Sequence, residues 1–201
     1  MKLHHYISYV FHPILVPIVS TLIYFIIIPN HVPKEFSYKI LGVIFVVTYI
    51  IPILLLYFLK KVKLIESYQL PTIEERKFPI LFFILLTFLI GNLLLRTNTV
   101  NLLAYSFYGC SLATATVYLL FLGNIKTSLH SLGIAGLLGF VGIISFEYEL
   151  NLLALIISLF FLFGIVATSR LKLKAHKINE IYIGFIVGLL SQILIYIYFS
   201  I

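Results

Sequence analysis

The stretch of this sequence richest in reactive side chains reads Ser169-Arg170-Leu171-Lys172-Leu173-Lys174-Ala175-His176-Lys177-Ile178-Asn179-Glu180. Arg170 offers a planar fork of N–H donors that matches phosphate oxygens in pairs. His176 is a competent nucleophile toward phosphorus once its second ring nitrogen is held by an acceptor. Glu180, four residues on, lies on the same face of a helix. It would take the Nδ1 proton, set the tautomer and leave Nε2 free to attack. A second stretch reads Lys126-Thr127-Ser128-Leu129-His130. Ser128 is a suitable helix cap, and the first backbone N–H groups of the helix it opens form an anion site. Lys126 adds a point charge, and His130 would protonate a leaving oxygen as a general acid. Together the two stretches carry the groups that phosphoryl transfer needs.

These groups sit in a chain of 201 residues that is 62% hydrophobic and only 10% charged, with a net charge of +7. A soluble domain is about one quarter charged, so the composition excludes a cytosolic enzyme, a disordered tail and a coiled coil. One cysteine, Cys110, excludes a disulfide scaffold. All seven acids are glutamates. A chain without aspartate is a poor fit to membrane enzymes that hold magnesium pyrophosphate with paired aspartates, such as prenyltransferases and CDP-alcohol phosphotransferases. Hard-metal sites built from carboxylate clusters need more acid than this, and no metal or other cofactor is expected.

A helix crosses about 30 Å of hydrocarbon with about 20 residues, and an unpaired strand cannot cross it. Seven spans are expected: Tyr6 to Ile28, Tyr38 to Leu59, Phe78 to Leu95, Val100 to Leu122, Ser128 to Phe146, Leu152 to Thr168, and Ile181 to Ser200. The fold class is therefore an all-α polytopic bundle of six or seven spans, forming a single integral membrane domain over residues 1–201 with only short connectors. The first run is too long for a signal peptide, carries Pro13 and Pro17, and lacks a small-residue cleavage site.

Seven spans alternate the connectors between two sides. The N-terminus, Lys60–Lys77, Gly123–Thr127 and Ser169–Glu180 share one side and carry 11 of the 14 basic residues. With Arg76, Lys77, Lys126 and Arg170 set aside as site residues, seven remain against three. The positive-inside rule makes that side cytoplasmic, in an inner-membrane protein. In the fifth span, Gly133, Gly136, Gly139 and Gly142 predict a grooved helix that neighbours approach closely. Gly184 and Gly188 add a small-xxx-small pair in the last span.

The two stretches resemble the type 2 phosphatidic acid phosphatase superfamily, which includes vanadium haloperoxidases and bacterial acid phosphatases. Its third motif, S-R-x5-H-x3-D, is matched by Ser169, Arg170 and His176, with Glu180 at the aspartate position. Its second, P-S-G-H, is matched by Ser128 and His130, with Thr127 and Leu129 in place of proline and glycine. Its first, K-x6-R-P, is absent as written. The nearest segment is Glu75-Arg76-Lys77-Phe78-Pro79, two spans before Ser128 rather than in the same loop. The resemblance implies an enzyme in which His176 forms a phosphohistidine oriented by Glu180. His130 protonates the leaving alcohol, and Arg170, Lys126, Ser128 and Ser169, with Arg76 or Lys77, hold the phosphate, without a metal. Arg76, Ser128, His130, Arg170 and His176 all fall on one membrane face in the seven-span count, as that mechanism requires.

A site among helix ends at headgroup depth implies a lipid phosphate partner: a phosphatidate-like, phosphatidylglycerophosphate-like or polyprenyl phosphate. Two rival functions share the same residues, a headgroup transferase using the same histidine and a non-catalytic scaffold or transporter subunit with a degenerate site. Nucleic-acid binding is not expected, since there is no soluble basic domain. His12 lies inside the first span, where it either serves function or bonds the carbonyls freed by Pro13 and Pro17. Asn92 and Gln192 are expected to hydrogen-bond between helices.

Overall fold

The computed structural model describes residues 2–28 and 32–201, and every regular element among them is helical. The chain runs through α1 (Lys2–Val10), a 3-10 turn (Pro13–Leu15), α2 (Val16–Ile27) and α3 (Lys34–Phe45). A π-helical turn (Val46–Ile50) leads into α4 (Ile51–Lys61), followed by α5 (Ile73–Leu95) and α6 (Asn101–Leu122). The last three are α7 (Leu129–Glu147), α8 (Leu153–Lys172) and α9 (Ile178–Ser200). Counting α1–α2 and α3–α4 as one segment each, seven segments among the described residues are long and apolar enough to cross a membrane. The protein is a multi-pass all-α bundle.

The helices outrun their apolar stretches. α5 begins at Ile73 rather than Phe78, and α8 continues to Lys172 rather than Thr168. Hydropathy marks where lipid ends, whereas backbone hydrogen bonding carries a helix on into the headgroup region. Arg76, Arg170 and Glu180 consequently stand on first or last helical turns, not in flexible connectors.

Two spans are interrupted, each beside proline. Pro52 has no N–H and crowds the carbonyl four residues earlier. The preceding turn widens, so that the Ile51 N–H reaches back five residues to Val46 O. In the first span, Pro13 and Pro17 divide α1 from α2. The Ser20 and Thr21 hydroxyls both donate to Pro17 O, at 2.9 and 2.7 Å. Of the two roles the sequence leaves open for His12, function or bonding the freed carbonyls, the second is not the bond observed. The His12 Nδ1 accepts the Ile14 N–H at 3.3 Å and caps the 3-10 turn.

α7 is the axis of the bundle. In its most apolar window 72% of residues are buried by protein, against 17% in α8, which faces outward. α7 packs most extensively on α9, and the glycines of α9 make that approach possible. A Cβ on Gly184 would lie 2.5 Å from Ser128 O, and one on Gly188 would collide with Leu132 O. The four α7 glycines do not form one groove. Steps of three residues turn about 60° short of a full circle, so the series drifts about half-way round the helix. Gly133 faces Val16, Gly139 faces Leu189 and Gln192, and Gly142 faces open space. Gly188→Leu should therefore destabilise the fold by about 3 kcal/mol or more, because backbone cannot yield to the side chain. Gly142→Ala should not. Thermal unfolding midpoints in detergent will separate the two.

Gln192 bridges helices as expected, donating to Ser106 O on α6 at 3.1 Å. Asn92 instead donates to Phe88 O, four residues back in its own helix. A carbonyl one turn away is always in reach, so a polar residue within a span does not by itself signal an interhelical bond.

Candidate functional site

The alternation of spans places the first turns of α5, α7 and α9 and the last turn of α8 at the same end of the bundle. Local geometry then brings their side chains together. α8 closes with Lys174 in the left-handed region at φ 53°. The Lys174 N–H returns to Leu171 O and the Ala175 N–H to Arg170 O, at 2.9 and 3.1 Å. This C-terminal cap reverses the chain, so five intervening residues carry His176 back over the helix end that holds Arg170. Asn124 at φ 58° ends α6 in the same way and leads into the connector that carries Lys126.

His176 is buried, and its Nδ1 lies 2.6 Å from Glu180 Oε2. A carboxylate can only accept, so Nδ1 carries the proton and Nε2 holds a free lone pair. Burial depresses the His176 pKa to about 3, reinforced by Arg76, Arg170 and Lys126. The ring is neutral at physiological pH.

The connector before α7 is fastened to this segment. The Lys126 ammonium donates to Ala175 O at 3.2 Å, and the Ser128 N–H donates to Glu180 O at 3.0 Å. The Ser131 hydroxyl donates to Ile181 O at 2.6 Å. Burial, Arg76 and Arg170 push the Lys126 ammonium below its ordinary value, with Glu180 opposing. Ser128 caps α7 by accepting the Ser131 N–H at 3.4 Å.

Arg76 is 6% exposed and stands in the first turn of α5, which Thr72 caps. Its Nε donates to Leu70 O at 2.7 Å, leaving the terminal nitrogens of the fork for another acceptor. Arg76 thus joins the site although no complete first motif precedes it. Lys77 does not join it. Adjacent helical residues point about 100° apart, and Lys77 instead pairs with Glu74 at 2.7 Å on the exposed flank of α5.

Sequence reasoning missed α1. The Arg170 Nη1 donates to Ser8 Oγ at 3.3 Å, and the His130 Nε2–H donates to Ser8 O at 3.0 Å. The His12 ring meets the His130 ring edge-on, with centroids 5.5 Å apart. Ser169 is buried, with its hydroxyl donating to Ile165 O at 2.9 Å and lying 3.3 Å from His4 Nδ1. Its proton is therefore committed to α8. His130 likewise turns Nε2 toward α1, and its free nitrogen is Nδ1. The signal available in the sequence was the four-residue spacing of His4 and Ser8, which puts two polar groups on one face of α1, and both of them meet α8.

The site is thus a buried histidine–carboxylate pair with three cations and a helix N-terminus around it. Among the described residues, no three His, Cys, Asp or Glu side chains cluster as metal ligands would. A scan against protein-family models gives no match for this chain, and searches of curated proteins and of solved structures give none either. What fold and site define is a class: a multi-pass helical membrane protein with a cationic histidine–carboxylate centre at one end.

The His176 pKa has a consequence for stability. In the unfolded chain the ring titrates near 6.5, and in the folded protein near 3. Between these values the unfolded chain binds the extra proton, so stability falls as pH falls from about 6.5. Lowering pH from 7.5 to 5 should cost wild type up to about 2 kcal/mol through this residue. His176→Gln should lose correspondingly less over the same range, as read from unfolding curves at the two pH values.

Proposed function

We propose that this protein is a membrane lipid phosphatase that hydrolyses a lipid phosphate monoester or diphosphate through a phosphohistidine. The observation that carries the reading is the neutral His176, held through Nδ1 by Glu180 and flanked by Arg76, Lys126 and Arg170. Three cations suit a phosphate dianion, and a tautomer with a free Nε2 suits attack on it.

In the first step the Nε2 lone pair forms a bond to phosphorus while the bond from phosphorus to the lipid oxygen breaks. That oxygen takes a proton from His130 Nδ1, which a phosphate monoanion delivers to Nδ1 as it binds and becomes the dianion, while the His130 Nε2–H stays engaged by Ser8 O. Water then attacks phosphorus, returns its proton to His130 and displaces Nε2. Inorganic phosphate leaves and the histidine is restored. The cations stabilise charge on the equatorial oxygens in both steps. The substrate is a lipid because the groups lie at the ends of spans, where headgroups are. The basic side chains on the same end favour the cytoplasmic face of an inner membrane.

The test is phosphate release from a panel of lipid phosphates in detergent, without added metal, by wild type and His130→Ala. A loss of about 10²–10³-fold in the variant is expected for a missing proton donor. No release by wild type on any substrate rejects the phosphatase reading. Exchange of labelled headgroup between lipids without free phosphate would assign the same histidine to a transferase. Separately, a cysteine introduced at Lys172 should react with an impermeant reagent applied from the cytoplasmic side only.

A further inference from the structure

Among the described residues, three buried side-chain atoms at this end of the bundle have no hydrogen-bond partner: the acceptor Glu75 Oε2 and two groups able to donate, Thr127 Oγ1 and Arg170 Nε. Thr127 is fully buried. Both its neighbours are tied to the nucleophile's segment, Lys126 to Ala175 O and Ser128 to Glu180 O. Thr127 therefore lies in a connector fastened on both sides to the segment that bears His176 and Glu180. Arg170 is anchored through Nη1 on Ser8, and it acts electrostatically on both His176 and Lys126. A buried hydroxyl without a partner is unfavourable in itself. Two unpartnered donors within one cationic cluster have a single explanation in common, an acceptor that arrives from outside.

We infer that Thr127 is a phosphate-binding residue, its hydroxyl donating to a non-bridging oxygen of the bound phosphoryl group alongside Arg170 Nε. This rests on the phosphoryl-transfer reading above and assigns that site a ligand that the motif pattern does not, since Thr127 stands where the family has proline. Threonine fits the position physically. Thr127 immediately precedes the Ser128 cap of α7, and the first turn of a helix carries backbone N–H groups without intrahelical partners.

The structure sets this role apart from a merely structural one. A hydroxyl that holds the fold together would destabilise the protein when lost. A hydroxyl waiting for a ligand would not, because its replacement by an isosteric methyl removes an unsatisfied group. The experiment uses the whole chain in detergent and compares wild type, Thr127→Val and Thr127→Ser. The unfolding midpoint is measured alone, with inorganic phosphate, and with mixed micelles containing phosphatidate.

Thr127→Val should unfold at or above the wild-type temperature without ligand. It should bind the responding probe roughly tenfold more weakly, and Thr127→Ser should recover most of the affinity. A midpoint several degrees lower for ligand-free Thr127→Val would overturn the inference, as would unchanged affinity. If wild type responds and Thr127→Val responds equally, only Thr127 is wrongly assigned. If wild type responds to neither probe, the phosphoryl-transfer reading falls and takes this inference with it. A response to phosphatidate alone identifies the source of the anion as the lipid headgroup. A response to inorganic phosphate alone identifies free phosphate.

Discussion

His176→Ala should lower phosphate release by a factor on the order of 10⁴ or more, with little change in KM. In the proposed mechanism His176 contributes to the chemical step, whereas ground-state binding is assigned to Arg76, Lys126 and Arg170, the cations around it, which the substitution leaves in place. Retained binding with lost turnover is thus the signature sought. Measuring KM and kcat separately also tests the simplest alternative, that this basic segment only attracts anionic lipid headgroups. In that case turnover by the variant would match wild type, and the mechanism would be wrong. Trapping of radiolabelled phosphate on wild type but not on His176→Ala, after quenching in alkali, provides a second readout independent of rate.

Glu180→Gln should be nearly as damaging, by about 10²–10⁴-fold in kcat, and for a different reason. The carboxylate accepts the Nδ1 proton at 2.6 Å and so keeps Nε2 unprotonated. A glutamine amide can donate to Nδ1, which stabilises the opposite tautomer and puts a proton where the lone pair must be. Meanwhile the loss of an anion beside three cations strengthens attraction for phosphate, so KM should fall or stay level while kcat collapses. Glu180→Asp keeps the charge but is one methylene shorter on the same helical spacing, and intermediate activity is expected. Equal activity of all three proteins would mean that Glu180 does not orient the histidine.

Both predictions depend on a pair that was legible in the sequence, because a spacing of four residues is set by the helix itself. The same-end placement of Arg76, Ser128, His130, Arg170 and His176 was also legible, since span counting needs only hydropathy. The rest depended on packing. Arg76 and Lys77 are equivalent in the sequence, and only the rotation of α5 directs one inward and the other to Glu74. Ser169 and His130 fit the motif pattern that the sequence resembles, yet their hydroxyl proton and Nε2 proton are taken by Ile165 and Ser8. Asn92 satisfied itself locally, where Gln192 crossed to α6. The glycine stripe on α7 was visible, but its drift round the helix decides which glycines meet a neighbour.

The bond from Arg170 to Ser8 joins residues 162 positions apart. α1 and α8 belong to the first and sixth of the seven spans among the described residues. A contact of such long sequence separation closes late, after the entropy of the intervening loop has been lost. Under the proposed mechanism, competence therefore reports completed assembly. Until α1 and α8 have docked, Arg170 lacks its Ser8 anchor and the phosphate site is incomplete.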